Sequence, residues 1–126
     1  MNFKLEETFK VPPKQIYECW LDSEKHSIMT GGEAKMSNVI DAIFTAWDGY
    51  IQGKNKALEP YKKIVQSWRT SQFKEGQPDS LLTIDLLPFK NGTKLILKHE
   101  NLTEKDHHYK DGWIAHYFEP MKKYFI

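Results

Sequence analysis

The sequence predicts an α+β domain, a curved antiparallel sheet closed by one long C-terminal helix with two short helices near the N-terminus. Three observations predict it. From Thr103 to Phe125, Tyr109, Trp113, Ile114, Tyr117, Phe118, Met121, Tyr124 and Phe125 recur in steps of three and four, one broad helical stripe. Asp48-Gly49 and Asn91-Gly92 are two hairpin signals flanked by apolar runs. Between them the strands are apolar on one side only, so the ring-rich helix has a face to lie on.

Taken in order, Asn2 to Phe9 alternates as a short strand. Val11-Pro12-Pro13 ends it, and proline is tolerated in the first turn of the helix that follows. Ile16, Tyr17, Trp20 and Leu21 place that helix over Pro13 to Asp22. Ser23 to Met29 adds a second short helix, closed by Thr30-Gly31-Gly32, and Lys35 to Asp41 reads as loop. Strands follow over Ile43–Trp47, Tyr50–Leu58 (with Gly53 as a bulge candidate), Lys63–Arg69, Ser80–Leu87 and Thr93–Asn101. Each joins the next by a turn, which makes an antiparallel meander. Thr103 with Asp106 three residues on resembles a capping box and starts the last helix. Inside that helix Gly112 implies a close backbone approach, and Pro120 implies a bend.

Alternation puts Leu82, Ile84 and Leu86 on one face, joined by Leu95, Leu97 and His99. Gln66 falls between Ile64 and Trp68 on the same face. A slip at the bulge would turn Trp47 inward instead of Phe44, and this alternative stays open.

The 126 residues suit a single domain, 1–126, with one core. A formal charge of +1 supplies no field for nucleic acid or a membrane surface. One cysteine, Cys19, excludes an internal disulfide and suits a reducing compartment. No apolar run is long enough for a membrane span, and MNFKLEETFK lacks a signal peptide's apolar segment. The expectation is a cytoplasmic domain.

From Val11 to Phe125 the chain resembles the START-like, helix-grip superfamily, and within it the C-terminal domain of heat-shock protein 90 ATPase activator homologues. Pro13 with Ile16-Tyr17, Phe44 with Asp48-Gly49 and Gly53, and the block Leu58-Glu59-Pro60 carry the resemblance. It continues through Lys63 to Arg69, Gly92-Thr93, Gly112-Trp113, Tyr117-Phe118 and Lys122-Lys123. One departure is Asp41-Ala42, where the family tends to carry a glycine pair. The resemblance implies a helix-grip fold, a stress-response setting and either of two partners, a small hydrophobic molecule or a chaperone. Activator homologues that stimulate the chaperone usually carry a further N-terminal domain. These 126 residues are all used by the sheet and its helices, so weak or no stimulation is expected from them.

Chemistry is sparse. His26, His99, His107, His108 and His116 show no ligand spacing for a metal, and Cys19 has no histidine placed beside it. There is no glycine-rich phosphate loop and no nucleophile elbow, so no cofactor is implied and a non-catalytic domain is expected. An enzyme of the cyclase or dehydratase type on the same fold is the third reading, by fold analogy. Lys54, Lys56, Lys62, Lys63 and Arg69 read as solvated sheet charges, or as a partner-facing patch.

The candidate ligand-binding residues are Trp20, Phe44, Gln66, Trp68 and Ile84, with Trp113, Tyr117 and His99 close by. An unpartnered buried amide or imidazole costs about 1–3 kcal/mol. Gln66 and His99 therefore bond to protein or water, or address a ligand in an apolar cavity. The alternative is a core packed solid by those rings.

Overall fold

A computed structural model describes residues 1–126. Chain order is β1 (Phe3–Phe9), α1 (Pro13–Leu21), α2 (Ser23–Thr30), β2 (Ile43–Ala46), β3 (Ile51–Glu59), β4 (Lys63–Thr70), β5 (Ser80–Phe89) and β6 (Gly92–Glu100). A 3₁₀ turn, Glu104–Asp106, then leads into α3 (His108–Trp113), a π-helical turn (Ile114–Phe118) and α4 (Glu119–Tyr124). All six strands form one antiparallel sheet in the order β1-β6-β5-β4-β3-β2. The meander is as the sequence implies. What it did not imply is that β1 closes the far edge, with Phe3 opposite His99 and Phe9 opposite Thr93.

Both hairpin signals produce left-handed turns, one of them displaced. Asp48 and Gly49 have φ of 59° and 89° inside a turn closed by Tyr50 N–H to Trp47 O at 3.1 Å. At the second hairpin the left-handed pair is Lys90-Asn91, with φ of 47° and 61°, and Gly92 already pairs with Phe89. Gly92 answers a different need: a Cβ there would stand 2.1 Å from the Phe9 carbonyl oxygen. Gly53 is likewise not the bulge. Its Cβ would lie 1.8 Å from Ser67 O and 2.8 Å from the Phe44 ring, so it lets β4 and Phe44 close in. The register shift falls two residues later, between Asn55 and Ala57. It leaves Phe44 and Ala46 facing inward and buried.

Asp41 takes φ 70°, the left-handed conformation a glycine would adopt freely. Its N–H donates to Asn55 O at 2.8 Å, which anchors the entry to β2.

The C-terminal helix opens where Thr103 N–H and Oγ1–H both donate to Asp106 Oδ2 at 2.8 Å. It is not one continuous α-helix. At Ile114–Phe118 the spacing widens, and Glu119 N–H donates to Ile114 O, five residues back. Pro120 follows directly; lacking an N–H, it makes no bond to His116 O, and the wider turn leaves room for its ring. The widening also lets Trp113, Tyr117 and Phe118 all face the sheet, each buried. A single apolar cluster spans all these elements, from Phe9 through Ile64, Leu82, Ile84 and Leu97 to Met121 and Phe125.

Candidate ligand-binding site

Six buried polar side chains interrupt the concave face, Asn55, Gln66, Thr70, Ser80, Thr93 and His99, and each finds a protein partner. Gln66 is fully buried; its Nε2–H donates to Asn55 Oδ1 at 2.9 Å, and Trp20 Nε1–H points to its Oε1 at 3.4 Å. Asn55 passes the chain on, donating to Ser37 O and Val39 O at 2.8 and 3.0 Å. A sheet amide thereby holds the loop before β2. His99 accepts from Trp113 Nε1–H at 3.0 Å on Nδ1. Indole is a donor only, so the ring is neutral with its proton on Nε2, which donates to Ser80 Oγ at 2.8 Å. Ser80 in turn donates to Trp68 O at 2.7 Å. Burial pushes the His99 pKa down to about 3.

His26 repeats the arrangement on the helical side. Its Nδ1–H donates to Trp20 O at 2.8 Å, and Nε2 accepts from the Tyr117 hydroxyl at 3.0 Å. Burial takes it down to about 4 and raises Tyr117 above the ordinary phenol range. Each histidine fastens one ring of the C-terminal helix, Trp113 or Tyr117, to the rest of the fold.

Between that helix and the β2–β3 end of the sheet lies a cavity of about 270 Å³. The sheet side supplies Trp47, Tyr50, Ile51 and Trp68; the helix supplies Tyr109, Gly112, Trp113, His116 and Tyr117. The rings support one another. Trp68 stands edge-on to Tyr109 at 5.0 Å and tilted to Trp113 at 5.7 Å, while Trp113 lies 4.7 Å from Tyr117. Tyr109 bonds to Thr70 through its hydroxyl. Trp47 Nε1–H is buried in the wall without a partner.

Gly112 overturns its expected role. Beyond its chain neighbours and its own helix backbone, no atom lies within 4 Å of where its Cβ would be. The missing side chain makes room at the cavity and does not serve a close approach.

Of the five residues the sequence singles out, Trp68 lines the cavity. Trp20 lies behind its wall, stacked on Trp113 at 6.2 Å and 5.0 Å from Tyr117. Gln66, Phe44 and Ile84 are packed into the core under β2 to β5. Sequence reasoning passed over Asn55 and Tyr50, and it read Tyr109 only as a stripe residue and His116 only as a metal-ligand candidate. Asn55 was readable, because it alternates with Ile51 and Gly53 on the inward face. Tyr50 was not, since it sits in the turn, where parity has no meaning.

The site offers little for covalent chemistry. His116 is the single imidazole on the cavity wall, Cys19 is buried with its thiol pushed up by burial, and both nitrogens of His26 and of His99 are bonded. No three His, Cys, Asp or Glu side chains converge as for a metal ion. No helix is long and apolar enough to cross a membrane.

A family model described as Activator of Hsp90 ATPase homolog 1-like protein matches residues 10–125. The chain is 32% identical over 93 residues to an activator of 90 kDa heat shock protein ATPase homolog from Dictyostelium discoideum, covering 71% of this chain and 24% of that protein. It is 26% identical over 122 residues to the human homolog 1, covering 96% of this chain and 36% of that protein. The chain thus spans a quarter to about a third of the length of these relatives. In three dimensions it matches an HSP90 activator from Plasmodium falciparum with a TM-score of 0.88 at 23% identity, over 98% of this chain and 95% of that one.

Proposed function

The chain belongs to the family of Activator of Hsp90 ATPase homolog 1-like proteins, and on that premise we propose that it is a non-catalytic domain binding a small hydrophobic molecule between sheet and helix. The observation that carries this reading is the ring-lined cavity, kept open by the absence of a side chain at Gly112. Its wall holds no nucleophile and one imidazole, which favours binding over turnover. Its volume suits a compact ring compound and not a sterol. A ligand that binds only the folded state stabilises it by about 2.7 kcal/mol at one hundred times Kd. A neutral naphthalene derivative should therefore raise the melting temperature and change tryptophan emission, since Trp47, Trp68 and Trp113 meet the cavity. Gly112→Phe, which puts a ring into that space, should abolish both effects while the fold persists. Unchanged melting and emission up to the solubility limit overturn the reading.

A second reading is a chaperone contact, as the names of the relatives suggest. Val39, Ile40 and Ile43 are exposed at 59%, 52% and 73% around the start of β2, an apolar row beside the strand carrying Lys54 and Lys56. A coupled assay of a heat-shock protein 90 ATPase tests it. Several-fold stimulation that Ile43→Asp removes supports this reading, and no stimulation by this chain overturns it.

A further inference from the structure

The two edges of the sheet are finished differently. At one, β2 is four residues long, and Lys35 pairs with Thr45 along its outer side, the two backbones exchanging N–H to O bonds of 2.8 and 3.0 Å. That bridge covers the strand. At the other edge, β1 runs for seven residues with β6 on one side and no strand on the other. An uncovered strand edge of this length is a template for a further strand.

Its outward-pointing backbone groups belong to Lys4, Glu6 and Thr8. Thr8 N–H donates to Glu7 Oε1 at 2.9 Å and so stands outside the β1–β6 ladder. The Phe9 carbonyl oxygen, by contrast, faces β6, where a Cβ on Gly92 would lie 2.1 Å from it. Successive residues of an antiparallel strand turn their N–H and C=O alternately to its two sides, which puts Lys4 and Glu6 with Thr8. No backbone bond outside the sheet ladders reaches these residues. Their side chains are exposed on the convex face, with Lys4 Nζ 3.4 Å from Glu6 and Lys94 Nζ 3.6 Å from Glu6.

The order of charges along β1 selects the partner. Laid antiparallel against a second copy of itself about Leu5, β1 sets Lys4 opposite Glu6 of the copy and Glu6 opposite Lys4 of the copy. Both are outward-pointing residues, so backbone bonds form around the centre while opposite charges meet on the convex face. On the concave face Leu5 meets Leu5. Glu7 comes opposite Phe3 of the copy, already neutralised by Lys122 at 3.0 Å. The adjacent registers that keep outward groups face to face fail on charge: one sets Lys4 against Lys4, the other Glu6 against Glu6. Like charges directly opposite destabilise a strand pair.

We propose that the chain associates with a second copy of itself through β1, the two sheets running on into one about a twofold axis at Leu5. The contact is independent of the cavity. One strand pair makes a small interface, so a Kd on the order of 0.1 mM is expected.

Sedimentation equilibrium of the full chain from about 10 μM to about 1 mM brackets that value. The average mass should rise from monomer towards dimer over this range. Lys4→Glu and Glu6→Lys each set like charges opposite one another and should each weaken association about tenfold. An equimolar mixture of the two variants should recover the parent's association, because an acidic strand then faces a basic one. Far-UV circular dichroism should be unchanged in both, since the two side chains are exposed. A parent chain that stays monomeric throughout overturns the proposal. Association that the single variants leave unchanged, or that their mixture fails to recover, overturns it as well.

Discussion

His26 and His99 are neutral because each spends one ring nitrogen as acceptor, from Tyr117 and from Trp113. An unfolded histidine takes up its proton near pH 6.5, whereas these are held down to about 4 and about 3. Below pH 6.5 the unfolded chain therefore binds more protons than the folded one. Stability is fully present above that pH and is lost as pH falls, by about 1.4 kcal/mol per unit for each histidine. Urea unfolding at successive pH values between 6.5 and 4.5 should show roughly twice that slope. His26→Gln should halve it, whatever it does to stability at pH 7. Gly112 gives a second expectation. Open space surrounds its missing Cβ, so Gly112→Ala should stabilise by about 1 kcal/mol, the helix-propensity difference, in a chemical melt.

Among the elements, the C-terminal helix is where sequence periodicity and structure part. Steps of three and four marked most of the stripe: Tyr109, Trp113, Tyr117, Phe118, Met121 and Phe125 are buried, whereas Ile114 and Tyr124, expected on the same stripe, are exposed. Periodicity averages over the stripe, however, so the π-helical turn inside it was invisible. That turn carries a specific load: it aligns Trp113 with His99 on one side and Tyr117 with His26 on the other. Deleting exposed Ala115 would return the segment to α-helical spacing and rotate α3 by about 100° against α4. Trp113 would lose its bond to His99, a buried pair whose loss costs about 1–3 kcal/mol before any packing is counted. Near-UV circular dichroism should lose its tryptophan bands, and the melting temperature should fall. The hairpins teach a related lesson. Asn91-Gly92 announced a turn correctly but misplaced it by one residue, because Gly92 is required by the approach of Phe9 from β1, a contact that no local signal encodes.

For the molecule as a whole, one apolar cluster reaches from β1 to the final residues, with no second core to melt separately. Tryptophan emission and far-UV circular dichroism should therefore report one coincident urea transition, and separated midpoints would contradict a single cooperative unit. The architecture could be read in the chain because alternation, turn chemistry and the aromatic stripe agree about it. The site could be read only in part. Trp68 was identified from strand parity, but a cavity depends on where side chains are missing, and a mid-helix glycine reads equally well as a contact or as a space. Gln66 and His99 attracted notice as polar groups among rings, yet their partners Asn55 and Ser80 lie on neighbouring strands that only the register brings beside them.

The placement of β1 bears on time. Its partner is β6, so Phe3 finds His99 only after all the strands between them have been made. During synthesis the first strand leaves the ribosome early and stays unpaired, while the β2-to-β5 meander, built of neighbours in sequence, can form without it. Pairing β1 with β6 joins segments far apart in sequence, and such distant pairings carry a large loop-closure entropy. Refolding should accordingly be slow for this size, on the order of milliseconds to seconds. A permuted chain that places the β1 sequence directly after β6 by a short turn should fold faster, at little change in equilibrium stability.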